Sequence, residues 1–259
     1  MSIGETVARR SAVVFSPHYD DETLGCGGTI ICKRLTGAEV TIVYMTDGSR
    51  SHAVWTAADE LSRLRSLEGR EAAGVLGVDE SHVVELRYPE TRLSEHAAEA
   101  AGAVAAILCE RRPADVFVPY RHDPPADHRA TTDILRAALA ETGLSPMVYE
   151  YPIWAWNRWP WVSSPMPPVR GWRAWLRERV RYNLRLMRDM RVRVDIGPLV
   201  SQKREALARH RTQTAKLTGD PTWPILADVA NGEFLACFFQ DAEFFAVSPA
   251  VPTVSPPSR

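Results

Sequence analysis

Short apolar runs alternate along the first part of the chain with longer segments that carry apolar positions at helical spacing. The runs cover residues 12–15, 40–45, 83–86, 115–120 and 147–151, and the helical segments cover residues 22–35, 59–76, 95–109 and 130–140. Apolar strands that alternate with helices are typical of a parallel sheet buried on both faces. The pattern predicts an α/β fold, a Rossmann-like three-layer sandwich with a mainly parallel sheet. Because no GxGxxG sequence follows the first run, the pattern does not support dinucleotide binding.

The second half opens with a segment rich in tryptophan and arginine. Six of the eight tryptophans lie between Trp154 and Trp175, and several prolines in the same stretch favour a loop or flap. A helix with one apolar face is predicted beyond it by the spacing of Trp172, Trp175, Leu176, Val180, Leu184, Met187 and Met190. We interpret residues 155–193 as an irregular insert or lid that sets substrate specificity.

Three interpretations of this insert are open. A peripheral amphipathic helix packed on the domain is at least as well supported as any functional role. An aromatic and cationic wall for an extended, apolar or anionic substrate is the second, since aromatic faces suit sugars and aryl groups. Contact of an arginine- and tryptophan-rich helix with a membrane surface is the third and the weakest.

The last part of the chain is predicted to close the domain with helices and strands. We expect a strand over residues 192–196, a helix over residues 201–213 and a hairpin formed by residues 234–239 and 243–247. Residues 1–247 would then form a single domain. Residues 248–259 are rich in proline and serine, which is typical of a disordered tail.

Composition excludes several classes of protein. The chain has 259 residues, 45% of them hydrophobic, and a net charge of −1, which gives no overall attraction to nucleic acid. Its four cysteines form no CxxC pair, which favours a reducing compartment, and we expect a cytoplasmic protein. No apolar stretch is long enough to span a membrane. The composition leaves the oligomeric state open.

A histidine and three acidic residues follow the first apolar run directly. His18 and Asp21 are three residues apart, so in a tight turn both side chains can reach one point, and both offer good ligands for zinc. Asp20 lies between them, where its carboxylate can exchange protons with a metal-bound water. The alternative is an acidic N-cap beside an ordinary loop histidine. The strand, turn and glycine-rich helix start make that alternative less favoured.

A second polar loop, residues 121–131, follows the fourth apolar run. In a parallel sheet that strand can lie beside the first one, which would bring His128 to the His18 loop as a third ligand. Three protein ligands and an open position are the usual form of a catalytic zinc site. Asp127 is a plausible N-cap for the helix that follows.

The segment Pro-His-Tyr-Asp-Asp-Glu-Thr-Leu-Gly-Cys-Gly-Gly-Thr, residues 17–29, resembles the first motif of the PIG-L/LmbE-like family of zinc-dependent N-acetylglucosamine deacetylases. The resemblance implies one Zn²⁺ per chain, with Fe²⁺ as the alternative, bound by His18 and Asp21. It also implies that Asp20 is the general base. A second block, around residues 65–78, implies that Arg65 contacts substrate and that Glu68 holds Arg65. The block at residues 201–213 implies a structural role for His210.

The chain departs from this family at Pro125, where members usually carry a histidine that stabilises the oxyanion or donates a proton. Asp20 would then serve as both base and acid, or His122 or a residue of the second half would replace the missing histidine. The resemblance implies a hydrolase that removes an N-acyl group, foremost N-acetyl, from a small-molecule amino sugar or glycoconjugate, for example in secondary-metabolite biosynthesis. The alternatives are an amidohydrolase for a longer acyl chain or a non-sugar amide, and a catalytically weak metal-binding homologue.

Overall fold

A computed structural model describes residues 5–52, 54–163, 171–217 and 219–248. Within these ranges seven strands form one sheet, in the order β3-β2-β1-β4-β5-β7-β6. The strands are β1 (Ala12–Ser16), β2 (Val40–Thr46), β3 (Val83–Tyr88), β4 (Asp115–Pro119), β5 (Met147–Tyr151), β6 (Met190–Asp195) and β7 (Ala242–Ser248). The first five strands are parallel, and β7 runs antiparallel between β5 and β6.

Helices cover both faces of the sheet. They are α1 (Glu5–Ala8), α2 (Asp21–Leu35), α3 (Ala58–Val75), α4 (Ala97–Arg111), α5 (Ala126–Thr142), α6 (Trp172–Asp189), α7 (Val200–Arg209), α8 (Arg211–Thr214) and α9 (Glu233–Ala236). Shorter 3-10 turns are Glu80–His82, Leu93–His96, Trp154–Arg158, Gly197–Leu199, Leu226–Gly232 and Cys237–Phe239. One apolar core joins α2, α3 and α7 to one face, and a second core joins α4 and α5 to the other. The predicted three-layer α/β class, with its mainly parallel sheet, is confirmed.

The order of the strands places the site. β1 pairs with β2 on one side and with β4 on the other, with Val13 opposite Thr41 and Val116. The chain therefore leaves β1 and β4 toward opposite sides of the sheet, which opens a crevice at their carboxyl ends. The expectation that β4 lies beside β1 is confirmed.

Three predictions for the second half need correction. The expected closing hairpin is wrong, because residues 234–239 form α9 and a 3-10 turn, in which Phe234 and Phe238 point into the core at helical spacing. The expected helix over residues 201–213 is broken at His210, whose backbone leaves the helical region. The insert interpreted as irregular contains α6, the predicted amphipathic helix, over 18 of its 39 residues, and β6 begins at Met190, two residues earlier than expected.

The structure also bears on the C-terminal boundary of the predicted domain. Ser248 was expected to begin the disordered tail, but it is the last residue of β7. The rest of the expected tail, residues 249–259, lies outside the described residues. No helix in the described ranges is long and apolar enough to cross a bilayer. The assignment of residues 1–247 to a single domain stays a prediction.

Two glycines of α2 let the helix approach the rest of the core closely. A Cβ atom on Gly25 would lie 2.3 Å from Cδ2 of Tyr151, whose hydroxyl donates a 2.7 Å hydrogen bond to the carbonyl of Phe15. A Cβ atom on Gly28 would lie 2.6 Å from Cγ2 of Ile196. The glycine-rich motif therefore serves packing: it holds the start of α2 against β5 and the turn after β6.

We predict that Gly25→Ala destabilises the protein by about 1–3 kcal/mol, the usual cost of forcing an extra carbon into a filled core. Gly74→Ala is the matched control, because a Cβ there meets no atom within 4 Å. In a helix interior that change is expected to be neutral or stabilising by up to about 1 kcal/mol. Urea unfolding of the three proteins measures both effects. Equal stability of the two variants would contradict the packing role of Gly25.

Candidate metal centre

The turn between β1 and α2 is held in an unusual conformation by a buried carboxylate. Asp20 has φ 129°, a backbone region that side chains with a Cβ rarely adopt and that costs about 1–3 kcal/mol. Glu22 accepts hydrogen bonds from the backbone N–H of Asp20 at 3.1 Å and from Ser16 Oγ at 3.1 Å, and Nε2 of His210 lies 3.1 Å from its other oxygen. The sequence therefore folds locally around Glu22, which positions both His18 and Asp21.

Three candidate ligand atoms converge beside this turn. Nδ1 of His18 lies 3.2 Å from Oδ2 of Asp21 and 3.3 Å from Nε2 of His128, and the last two atoms are 3.2 Å apart. Zinc bonds to imidazole nitrogen and carboxylate oxygen are about 2.0–2.1 Å, so two tetrahedral ligands are separated by about 3.3–3.4 Å. The near-equilateral triangle therefore fits a divalent metal ion with three protein ligands.

Two further aspartates orient the histidines. Oδ2 of Asp127 lies 3.3 Å from Nε2 of His18, and Oδ2 of Asp123 lies 2.7 Å from Nδ1 of His128. Each carboxylate thus contacts the ring nitrogen that faces away from the ligand triangle, as carboxylates commonly do behind metal-binding histidines. Asp123 also accepts hydrogen bonds from the N–H groups of Trp154 and Ala155, at 3.1 and 2.6 Å.

The carboxylates control protonation at this centre. Burial alone would lower the pKa of His128, but Asp21 and Asp123 raise it to about 9. The pKa of His18 is likewise raised, because the contacts with Asp127 and Asp21 outweigh burial. Burial and the neighbouring charges of Asp21 and Glu22 raise the pKa of Asp20 well above its usual range. Without a metal ion, the centre therefore retains protons that a cation would displace.

Asp127 and Glu68 have partners that the sequence analysis did not predict. The N-cap of α5 is Pro125 and not Asp127, whose carboxylate instead accepts hydrogen bonds from the N–H groups of Thr91 and Leu93. Glu68 does not hold Arg65, because its carboxylate binds the N–H and hydroxyl groups of Thr212, at distances of 2.7–3.2 Å. Both corrections arise from partners far away in sequence.

Arg65 is 1% exposed and lies beside the ligand triangle. Its guanidinium donates to the carbonyl of Gly48 at 3.0 Å and to Ser51 Oγ at 2.6 Å, and it lies 3.8 Å from Glu90. Its Nε has no hydrogen-bond partner among the described residues. His52 supports the same loop, since its Nε2 contacts the carbonyl of Pro224.

A cleft of about 310 Å³ opens over the centre. Asp20, Arg65, Glu90, Ser51 and Gln213 are polar groups on its walls, and Leu24, Ile153, Trp154, Leu226 and Phe234 form an apolar side. Neither His122, which is exposed, nor His210, which is fully buried, lines the cleft. The expectation that His210 is structural is met by its contact with Glu22.

Sequence reasoning did not assign a role to Asp123, Glu90 or Gln213, and it offered Trp154 only as part of an aromatic wall. Asp123 carried a recognisable signal, because it stands in the same polar loop as His128, five residues before it. Trp154 follows β5 directly, and the carboxyl end of a parallel strand lies on the site side of the sheet. Glu90 and Gln213 lie in segments whose approach to the site depends on the tertiary fold.

Fold and site together define a class: an α/β protein with a candidate metal centre of two histidines and one carboxylate at the carboxyl ends of two neighbouring parallel strands. Residues 13–139 match the protein-family model described as PIG-L: GlcNAc-PI de-N-acetylase. Over this region the chain matches the PIG-L family, as the motif at residues 17–29 indicated.

Two curated relatives match about half of the chain. The chain is 30% identical to the diacetylchitobiose deacetylase of Thermococcus kodakarensis, over 52% of this chain and 51% of the relative. It is 33% identical to the 1D-myo-inositol 2-acetamido-2-deoxy-alpha-D-glucopyranoside deacetylase of a Mycobacterium species, over 47% of each chain. The chain thus spans about half the length of the curated relatives it matches.

Solved structures extend the likeness of fold to nearly the whole chain. The N,N'-diacetylchitobiose deacetylase of Pyrococcus horikoshii superposes with a TM-score of 0.62 at 24% identity, over 93% of this chain and 84% of that one. GalB, the 4-carboxy-2-hydroxymuconate hydratase of Pseudomonas putida, superposes with a TM-score of 0.59 at 16% identity, over 96% and 100%. The same fold therefore occurs in proteins described as a deacetylase and as a hydratase.

We predict that Asp123→Ala weakens zinc binding about 10–100-fold, the usual effect of removing a carboxylate behind a histidine ligand. Titration against a chromogenic chelator measures the affinity. Asp133→Ala on the exposed side of α5 is the control and should bind zinc as the wild type does. Unchanged affinity in Asp123→Ala would show that the contact with His128 does not orient a ligand.

We also predict opposite pH trends for stability and for metal affinity. The pKa of His128 is about 9 in the folded protein and about 6.5 when unfolded, so its contribution is full below pH 6.5 and is lost as the pH rises through 9. With chelator present, the free energy of unfolding should fall across this range. Zinc affinity should rise, because neutral imidazole is the ligand. A pH-independent free energy of unfolding in chelator would contradict the raised pKa.

Proposed function

We propose that the protein is a zinc-dependent deacetylase that removes an N-acetyl group from an amino sugar or glycoconjugate. The observation that carries the proposal is the ligand triangle of His18, Asp21 and His128, which opens into a cleft that also contains Asp20. The names of both curated relatives, each an amino-sugar deacetylase, support the choice of substrate class.

The donor set favours zinc, with Fe²⁺ as the alternative. Two imidazoles and one carboxylate suit a borderline divalent ion, and three protein ligands leave one position open. When bound, such an ion would supply a Lewis acid for the amide carbonyl and lower the pKa of a water molecule toward neutrality. His18, Asp21 and His128 would hold it.

Asp20 is the proposed proton-transfer group. Its side chain lines the cleft beside the triangle, and the strained turn holds it in that position. The two neighbouring carboxylates have other partners: Asp21 contacts His18, and Glu22 accepts the N–H of Asp20. A raised pKa suits a carboxylate that must take a proton and return it. Asp20 would accept the proton of the attacking water and deliver it to the nitrogen of the departing amine.

Besides Asp20 and Asp21, the described part of the cleft contains two carboxylates, and both already have partners. Glu90 accepts a hydrogen bond from the N–H of Arg50, and Asp127 accepts hydrogen bonds from the N–H groups of Thr91 and Leu93. Pro125 stands where the family usually has histidine, and His122 is exposed and does not line the cleft. Among the described residues of the second half, the only polar side chain on the walls is that of Gln213, an amide without an acidic proton. We therefore assign both roles, base and then acid, to Asp20.

Arg65 and the apolar wall are proposed to bind the sugar. The unpaired Nε of Arg65 offers a buried donor for a hydroxyl or carbonyl oxygen of the substrate. Trp154 stacks on Phe234 with ring centroids 4.9 Å apart, and both line the cleft, which suits the apolar face of a pyranose ring.

We predict that Asp20→Asn retains zinc but releases acetate from N-acetylglucosamine or diacetylchitobiose about 10²–10⁴-fold more slowly than wild type, the usual contribution of a general base. Asparagine tolerates the backbone conformation of residue 20. Acetate release and metal content are measured on the same samples, with Asp133→Asn as the control of equal charge.

Other outcomes of this experiment identify the alternatives. Bound zinc without acetate release from any amino sugar would favour a longer acyl chain, a non-sugar amide or a binding role. Equal activity of Asp20→Asn and wild type would exclude Asp20 as the base. A protein that binds no zinc would contradict the metal centre itself.

A further inference from the structure

A second surface outside the cleft has an unusual composition. Along α6 an apolar residue is followed directly by an arginine five times: Trp172-Arg173, Leu176-Arg177, Val180-Arg181, Leu184-Arg185 and Met187-Arg188. The spacing of four or three residues places the five apolar side chains in one row along the helix, with the arginines in a parallel row beside it. We call these ten residues the α6 outer face.

Both rows are exposed to solvent. The five apolar side chains are 44–61% exposed, and the five arginines are classed as exposed as well. The other side of α6 is fixed to the domain by the buried residues Tyr182, Asn183 and Leu186. The hydroxyl of Tyr182 donates to the carbonyl of His122 at 2.9 Å, and Asn183 donates to the carbonyl of Arg158 at 2.8 Å. Because the inner side is held in this way, the helix cannot roll to bury the apolar row.

The apolar row continues into a groove. A cavity of about 480 Å³ lies between α6 and the preceding segment, and Pro160, Val162, Leu176, Leu184 and Met187 are among its walls. Trp161, at 75% exposed, stands on the same preceding segment. The groove and the row together form a continuous apolar surface flanked by positive charge. A continuous apolar patch of this kind marks an interaction site, whereas single exposed apolar residues do not.

The charge of α6 contrasts with that of the rest of the chain. The helix contains six arginines and two acidic residues, a net charge of +4, whereas the whole chain has a net charge of −1. The remaining residues therefore carry −5. Among the described residues, no ion pair joins Arg177, Arg181 or Arg185 to an acidic side chain, so their charge is available to an external partner.

We propose that the α6 outer face docks on an anionic lipid surface. An exposed helix with an apolar row, a tryptophan and a flanking row of arginines has the composition of helices that lie in the membrane interface. The apolar side chains would enter the headgroup region, and the arginines would meet lipid phosphates. A second copy of this chain fits less well, since pairing two such faces would bring ten arginines together.

This surface is linked to the cleft through one short segment. Trp154, at one end of the Trp154–Arg158 turn, lines the cleft, and Arg179 of α6 donates hydrogen bonds to the carbonyls of Trp159 and Val162 at the other end. Docking would therefore hold the wall that contains Trp154 close to the lipid surface. A substrate with a lipid-anchored or amphiphilic part could reach the cleft from that surface.

Vesicle co-sedimentation of the full-length protein tests the proposal, and it does so without any assay of activity. Wild type should bind vesicles of phosphatidylcholine and phosphatidylglycerol at low ionic strength and should bind pure phosphatidylcholine much more weakly. High ionic strength should weaken binding to the anionic vesicles, because charge attraction is screened. Absence of binding to the anionic vesicles, or equal binding to both kinds, would overturn the proposal.

Two variants with matched controls separate the two rows. Leu184→Asp with Met187→Asp should abolish binding, whereas Leu35→Asp with Leu67→Asp, at exposed leucines of α2 and α3, should not. The triple change Arg177→Gln, Arg181→Gln and Arg185→Gln should weaken binding about a hundredfold, since each basic side chain near anionic lipid contributes about fivefold. Its control removes the same charge elsewhere, through Arg63→Gln, Arg92→Gln and Arg209→Gln.

The controls also define what would overturn the proposal. Equal loss in a variant and its control would show that net charge or stability, and not the α6 outer face, governs binding. Circular dichroism confirms that each variant is folded before it is compared. Self-association of wild type that Leu184→Asp with Met187→Asp abolishes, without binding to vesicles, would show that the face is a contact between copies of the chain.

Discussion

The buried carboxylate of Glu22 joins parts of the chain that are far apart in sequence. Its oxygens bind the hydroxyl of Ser16 at the end of β1, the N–H of Asp20 in the strained turn and the ring of His210 after α7. Burial alone would raise the pKa of Glu22, but His210 and Thr23 lower it, so the carboxylate stays ionised. The position of the strained turn therefore depends on a contact that forms only when α7 packs on α2.

A second buried carboxylate connects the centre to the wall of the cleft. Asp123 contacts His128 with one oxygen and holds the N–H groups of Trp154 and Ala155, so a ligand histidine and an aromatic wall share one anchor. Both carboxylates lie at the carboxyl ends of adjacent strands, where parallel strands leave backbone groups free for loops. The sheet topology brings the loops together, and the two carboxylates fix the distances within them.

The sequence alone predicts the parallel sheet and the convergence of His18, Asp21 and His128. It does not predict most of the hydrogen-bond partners of the buried carboxylates. Apolar runs bounded by turns predict strands well, and two loops with histidine and aspartate at strand ends predicted a shared site. Residues 234–239 were assigned as a strand because a short apolar run does not distinguish strand from helix. Near neighbours suggest Arg65 as the partner of Glu68 and the start of α5 as the place of Asp127. Their actual partners, Thr212 and Thr91, lie 144 and 36 residues away along the chain.

Charge is distributed unevenly over this protein, although its total is close to zero. The cleft is lined by Asp20, Asp21, Glu90 and Asp127, and Arg65 is the only arginine among the described residues of its walls, so the cleft attracts cations. The positive charge is concentrated on α6, where it can attract an anionic surface at the same time. The net charge of the chain does not reveal this separation, because the negative charge of the cleft and the positive charge of α6 offset each other in the total. The two regions lie on different elements, the acidic cleft at the ends of β1 and β4 and the positive charge along α6, and one molecule can therefore hold both.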